Sequence, residues 1–275
     1  MMTSVALPSA SGAQEAIRRG TGEGIKIAVI DSGIEISHPA LAGLALTDDV
    51  AVTTDGMLVQ VGEGGGRDVF GHGTAIASVL RRGAPSASIG SFRVLNERLG
   101  GRTATIREGV RQAIDRGYHI LNCSFGCRGE VQYVMQYKEW IDEAYLKGIH
   151  VVAACNNFDF SVPEWPGYFP SVITVNMAQA SELSLFYGRG HLVEFAAAGE
   201  NVEVAWMGGA RKTVTGSSYA APHVTALLAR LLSVYPDLPP LEAKALLHRI
   251  AEPLHSGVVA NGGTGSLTAR LDAHA

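Results

Sequence analysis

Gly24-Ile25-Lys26-Ile27-Ala28-Val29-Ile30-Asp31-Ser32-Gly33 sets the architecture of this chain. Ile25 to Ile30 is a short apolar run rich in β-branched residues. It is entered from Gly22-Glu23-Gly24 and left at Asp31-Ser32-Gly33, the pattern of a strand between two turns. Strand and helix signals alternate outward from it. Thr74 to Arg82 predicts a helix stopped by Gly83, and Ser88 to Leu95 a second strand. Thr103 to Arg116 and Val131 to Leu146 predict amphipathic helices stopped by Gly117 and Gly148. Tyr118 to Asn122, Ile149 to Ala154 and Val172 to Val175 predict further strands. Ile149 to Ala154 is apolar apart from His150, as a strand buried on both faces is. Val202 to Trp206 and Arg211 to Val214 flank Gly208-Gly209 and predict a hairpin. Ser218 to Tyr235 predicts a long apolar helix ended before Pro236, and Pro239-Pro240 opens the last one. Thr47 to Gly66, rich in Gly and Asp, reads as a mobile surface loop. The expected fold is α/β: three layers, with a mostly parallel central sheet and helices on both faces. No repeat or linker separates two cores, so residues 1–275 are expected to form one domain.

Composition narrows the function classes. Apolar residues make up 47% of the 275, aromatics only 7%, and the net charge is −4. No Lys or Arg run suggests nucleic-acid binding. No stretch approaches the roughly 18 consecutive apolar residues of a membrane span. Met1 to Ala13 lacks a basic n-region and is broken by Pro8, Ser9, Ser11 and Gly12, unlike a signal peptide. Three cysteines, Cys123, Cys127 and Cys155, do not make a disulfide framework and fit reduced thiols. Neither a nearby His nor a third Cys completes a zinc site around Cys123 and Cys127.

Three polar residues stand at the ends of apolar elements, where open parallel sheets place their sites. Asp31 follows the first strand. His72 lies in Gly71-His72-Gly73-Thr74, before a helix. Ser218 lies in Thr215-Gly216-Ser217-Ser218, at the start of the longest apolar helix. Singly, each has a plainer reading: a turn Asp, a loop His, an N-cap Ser. Together, in this order, they form a nucleophile, the base that activates it, and the carboxylate that orients the base. A helix N-terminus behind the Ser supplies a positive field where negative charge develops.

Ile27-Ala28-Val29-Ile30-Asp31-Ser32-Gly33 with Ser37-His38-Pro39, then Gly71-His72-Gly73-Thr74, then Gly216-Ser217-Ser218-Tyr219-Ala220-Ala221-Pro222-His223-Val224 resemble the Asp, His and Ser motifs of the subtilisin-like serine proteases. The resemblance runs from about Ala6 to about Asp272. It implies a serine endopeptidase working through an acyl-enzyme on Ser218. Ala153-Ala154-Cys155-Asn156 resembles the oxyanion segment, which implies Asn156 as the donor. Asn122-Cys123-Ser124-Phe125-Gly126 resembles the edge on which peptide or protein substrate lies as an added strand, with Ser124, Phe125 and Gly126 in contact. Arg98 to Arg102 falls on the opposite wall. Pro163-Glu164-Trp165-Pro166-Gly167 resembles the wall of the S1 pocket, and a carboxylate at Glu164 there favours Arg or Lys at P1.

The chain departs from the family pattern at several points. Cys155 stands where the family has a glycine, and its side chain either packs or crowds the first subsite. Ser217 and Tyr219 replace a usual Thr and Met. The segment Ala77 to Gly83 passes straight into Ala84-Pro85-Ser86-Ala87-Ser88, where secreted members carry a calcium-binding loop. The expectation is therefore no cofactor, and no strong calcium site. Too few residues precede Gly24 for a prodomain. Together these features predict a cytoplasmic enzyme with no nucleic-acid or membrane partner. Two other uses of the fold come from the resemblance: maturation of a ribosomally made precursor peptide, held by the Thr47 to Gly66 insertion and the Val131 to Leu146 helix, and a catalytically silent binding module. An α/β-hydrolase esterase is disfavoured, because that fold orders its triad Ser, Asp, His.

Overall fold

A computed structural model of the chain describes residues 7–157, 162–189 and 193–254, without the side chain of Arg128. Residues 6 and 255–272 of the stretch compared above lie outside the described residues. The elements are, in chain order, α1 (Ala10–Arg19), β1 (Lys26–Asp31), β2 (Asp49–Asp55), β3 (Leu58–Glu63), α2 (His72–Gly83), β4 (Ser88–Arg93) and α3 (Thr103–Asp115). Then come β5 (Ile120–Cys123), β6 (Cys127–Arg128), α4 (Val131–Leu146), β7 (His150–Ala154), β8 (Glu164–Trp165), β9 (Ile173–Ala178), β10 (Leu185–Tyr187) and β11 (Phe195–Ala198). The hairpin β12 (Val202–Trp206) and β13 (Ala210–Val214) precedes α5 (Ser217–Leu232), α6 (Pro240–Ile250) and β14 (Glu252–Pro253).

The large sheet runs β14-β10-β11-β9-β7-β5-β1-β4-β2-β3. Its centre is parallel: β1 lies between β4 and β5, and β5 and β9 flank β7. Alternation along β1 shows why three layers form. Ile27 and Val29 point to the face covered by α2 and α5, packing with Ile76, Leu80, Val224 and Leu228. Ala28 and Ile30 point to the face covered by α3 and α4, packing with Ile106, Val110, Trp140 and Ile141. Each such fully buried aliphatic side chain contributes about 1.5–3 kcal/mol. Every residue of β7 is buried, His150 included, and burial lowers the His150 pKa to about 4, so it is neutral in the core.

The segment Thr47 to Gly66, expected as a mobile loop, instead folds as the β2–β3 hairpin at one edge of the sheet. Val50 and Val52 are buried, and β2 pairs in parallel with β4. Asp49 closes the hairpin by accepting the Gly66 N–H at 2.6 Å. Every residue of β3 is exposed, so the strand buries neither face and is held by its pairing with β2. The segment is therefore an ordered edge hairpin rather than a mobile insertion.

Candidate active site

Asp31 ends β1, and His72 is the first residue of α2, two residues earlier than expected. Both side chains are fully buried. His72 Nδ1 lies 2.9 Å from each carboxylate oxygen of Asp31. Such close approach needs a glycine beside it: a Cβ on Gly73 would sit 2.0 Å from the Gly33 carbonyl oxygen. Burial works to lower the His72 pKa. The charge and hydrogen bond of Asp31, with the charge of Asp68 behind them, outweigh burial and raise it above the ordinary value. A carboxylate acceptor on Nδ1 puts the neutral ring's proton there and leaves Nε2 as the base. Nε2 is buried and has no protein hydrogen-bond partner.

Ser218 is the second residue of α5 and is 2% exposed. The His72 ring sits beside the next residue, 5.4 Å from the Tyr219 ring between centroids. The Ser218 hydroxyl donates to the Ser124 carbonyl at 3.1 Å, and Ser124 Oγ donates to the Ser218 carbonyl at 2.9 Å. The Asn122 amide donates to Ser124 Oγ, and Asn122 Oδ1 accepts from the Thr225 hydroxyl, both at 2.9 Å. This network ties the end of β5 to the first turns of α5. Gly216, at the N-cap of α5, makes no side-chain cap bond.

An amide that meets this helix start belongs to Asn157, next to the Asn156 expected from the sequence. Asn157 is 1% exposed, and its Oδ1 accepts the Ser217 N–H at 2.8 Å. A backbone N–H can only donate, which fixes the amide orientation. Nδ2 is then the free donor, and it is buried without a protein partner. Asn156 is half-buried. The Ser217 hydroxyl also donates to the Cys155 carbonyl at 2.7 Å, so Cys155 and Asn157 both hold the start of α5. Two adjacent asparagines look alike in sequence, and only the backbone path distinguishes them.

Residues 22–268 match the Subtilase family. The chain is a subtilase. Among its relatives are thermitase of Thermoactinomyces vulgaris, 31% identical over 216 residues that span 77% of this chain and 76% of that protein. Subtilisin DY of Bacillus licheniformis is 29% identical over 231 residues, 79% of this chain and 80% of that one. Two solved structures share the fold. One is an S41 psychrophilic protease, with TM-score 0.68 and 24% identity over 85% of this chain and 86% of that one. The other is a cold-adapted subtilisin-like serine proteinase, with TM-score 0.66 and 23% identity over 84% and 83%. The subtilase described here is a serine endopeptidase.

In this subtilase the remaining residues picked out from the sequence also gather near Ser218. Ser124 and Phe125 are buried, and the Phe125 ring packs into the core against α4, which leaves its backbone for other contacts. Glu164 is half-buried in β8, which pairs antiparallel with β6. Its carboxylate lies over Gly126: a Cβ there would meet Glu164 Oε2 at 2.6 Å. Cys155 packs rather than crowds. It is 1% exposed, and burial, with the Glu164 charge adding to it, pushes its thiol far above the ordinary range. Burial also pushes the Cys127 thiol up to about 11.

Asp68 is a residue that the sequence reading passed over. Its Oδ1 accepts the Ser32 hydroxyl at 2.8 Å and the N–H groups of Phe70 and Gly71 at 3.0 and 2.7 Å. Its Oδ2 accepts the Thr74 N–H and hydroxyl at 2.7 and 2.6 Å. One buried carboxylate thus caps α2, shapes the turn before His72 and ties it to the residue after Asp31. The only local hint was an acid four residues before the His, which is also an ordinary N-cap pattern.

Proposed function

We propose that Ser218 is the nucleophile of this endopeptidase, His72 its general base and Asp31 the carboxylate that orients the base. The observation carrying the assignment is the buried Asp31–His72 pair, whose unpartnered Nε2 lies beside the start of α5. A rotation about the Ser218 side chain moves its hydroxyl from the Ser124 carbonyl to Nε2. His72 takes the proton as Oγ attacks the scissile carbonyl, and returns it to the leaving amine. The carbonyl carbon is then bonded to Ser218 Oγ as an ester, which water cleaves with His72 again as base. The Asn157 amide and the Ser218 N–H hold the oxyanion, whose charge exists only in the tetrahedral species. The backbone of Ser124, Phe125 and Gly126 receives the substrate as an added strand.

The P1 residue is Arg or Lys, held by Glu164. Support comes from the Glu164 carboxylate lying against Gly126 at the cleft floor rather than out in solvent. In a peptide library, cleavage after Arg exceeds cleavage after Leu, and Glu164→Gln lowers that ratio about tenfold or more, as loss of a charge-assisted pair does. Preference for Leu or Phe over Arg in the native enzyme rules this pocket out as basic.

The enzyme folds without a strong calcium site between α2 and β4. Residues 84–87 make a tight link there, with the Ala87 N–H donating to the Ala84 carbonyl at 3.1 Å and the Ser86 N–H to Thr21 at 2.9 Å. Chelation with EDTA leaves the Tm within about 2 °C, since removing a ligand that binds only the folded state would lower it by far more. A fall of many degrees identifies a calcium site. Three buried cysteines outside any disulfide fit a reducing compartment such as the cytoplasm.

A further inference from the structure

A cavity of about 870 Å³ lies between Thr53 and Thr54 of β2 and the segment 93–102. Three arginines, Arg93, Arg98 and Arg102, are among the residues that line it, with one acidic residue, Glu97. Several other arginines pair with carboxylates, among them Arg82 with Glu182, Arg111 with Glu108, Arg116 with Asp48 and Arg211 with Glu203, while Arg81 and Arg230 donate to backbone carbonyls. None of the three around the cavity forms an ion pair among the described residues. Arg102 donates instead to the Gly56 carbonyl at the hairpin tip, at 2.8 Å. Arg93 is half-buried at the end of β4, so its charge is held at the wall rather than trailing into solvent. The N-terminus of α3 adds to the same field. Arg102 is its N-cap residue, no side chain caps it, and its first turn carries no acid.

The cavity adjoins the catalytic centre through the backbone. The Val94 and Leu95 N–H groups both donate to the Asp31 carbonyl, at 2.8 and 3.2 Å, and the Val69 N–H donates to the Ser32 carbonyl at 3.1 Å. Val69, Val94 and Leu95 all line the cavity. The cavity-lining segments are thus bonded directly to the backbone of Asp31 and Ser32 at the end of β1. A fork of N–H donors pairs with a carboxylate in two parallel hydrogen bonds, and in a concave site the field is less screened than on open surface.

We propose that this cavity is a specificity subsite for an acidic segment of the peptide substrate, engaging Asp or Glu side chains a few residues from the scissile bond. The proposal rests on the triad assignment above. Glu97 at the rim limits the site to one or two carboxylates and repels longer acidic runs. With Glu164 at the other wall, the cleft is bipolar and selects a peptide carrying a cation at the cut and an anion nearby.

The test is a set of fluorogenic peptides with one fixed scissile residue and Ala, Asp or Lys placed in turn at four positions on each side. At one or two positions kcat/KM for Asp exceeds that for Ala by about tenfold at low salt, and the margin shrinks as salt rises. Arg98 is exposed, so its replacement leaves the core intact. Arg98→Gln with Arg93→Gln brings the Asp-to-Ala ratio to about one, and Arg98→Glu turns the preference towards Lys. Equal rates for Asp and Ala at every position overturn the proposal, as does a ratio unchanged in Arg98→Gln and Arg98→Glu. Competitive inhibition by millimolar inorganic phosphate, without any acid preference among the peptides, assigns the cavity to a free anion and also overturns it. Labelling of Ser218 by a fluorophosphonate, with cleavage of the Ala peptides, keeps the triad assignment standing whatever the profile.

Discussion

Ser218→Ala lowers kcat by about 10⁶-fold while the chain stays folded, a magnitude taken from the related subtilisin. Only one atom is lost, but the whole covalent route runs through it. Without Oγ no ester forms, and His72 has no proton to take from the nucleophile. What remains is the oxyanion site and substrate binding, which act on water alone. Stability changes by about 1 kcal/mol, the size of one hydrogen bond, because the Ser218 hydroxyl makes a single bond to the Ser124 carbonyl. The variant binds peptide but no longer reacts with a fluorophosphonate. Labelling that persists in Ser218→Ala, or that fails in the native protein, overturns the assignment.

Asn157→Ala lowers kcat by about 10²–10³-fold with little change in KM, because the oxyanion it stabilises is absent from the bound ground state. Asn156→Ala changes kcat by less than about tenfold, since that residue holds no transition-state charge in this arrangement. The two neighbours thus separate cleanly in one assay. Asn157→Ala also removes the acceptor for the Ser217 N–H, a bond that positions the start of α5. Asn157→Asp serves as the control, keeping the acceptor and replacing the donor. It loses at least as much activity, since a carboxylate there repels the oxyanion. Full activity in Asn157→Asp, or a large loss in Asn156→Ala alone, returns the role to Asn156.

Much of the fold was legible because it is written in short-range patterns. The run Ile27 to Ile30 alternates towards two cores, and β7 is apolar throughout, so both announce buried strands in a three-layer fold. The positions of Asp31, His72 and Ser218 were legible for the same reason: Asp31 ends a strand, while His72 and Ser218 lie in the first turns of helices. The hairpin β2–β3 was not. Its outer strand packs against nothing, and its order comes from pairing with β2, whose own partner β4 lies some forty residues on. Such pairing leaves no periodic trace.

The amino-acid order alone specified the alternation of strands and helices, the family motifs and the placement of Asp31, His72 and Ser218 at element ends, because each depends on neighbours within a turn or a strand. Folding specified the rest. It bonded Asn157 to Ser217, joined Asp68 to Ser32 and Thr74 around one carboxylate, and gathered Arg93, Arg98 and Arg102 around one cavity beside β2. These depend on where the backbone travels between partners distant in sequence, and on which way a side chain faces when it arrives. No local pattern carries that information.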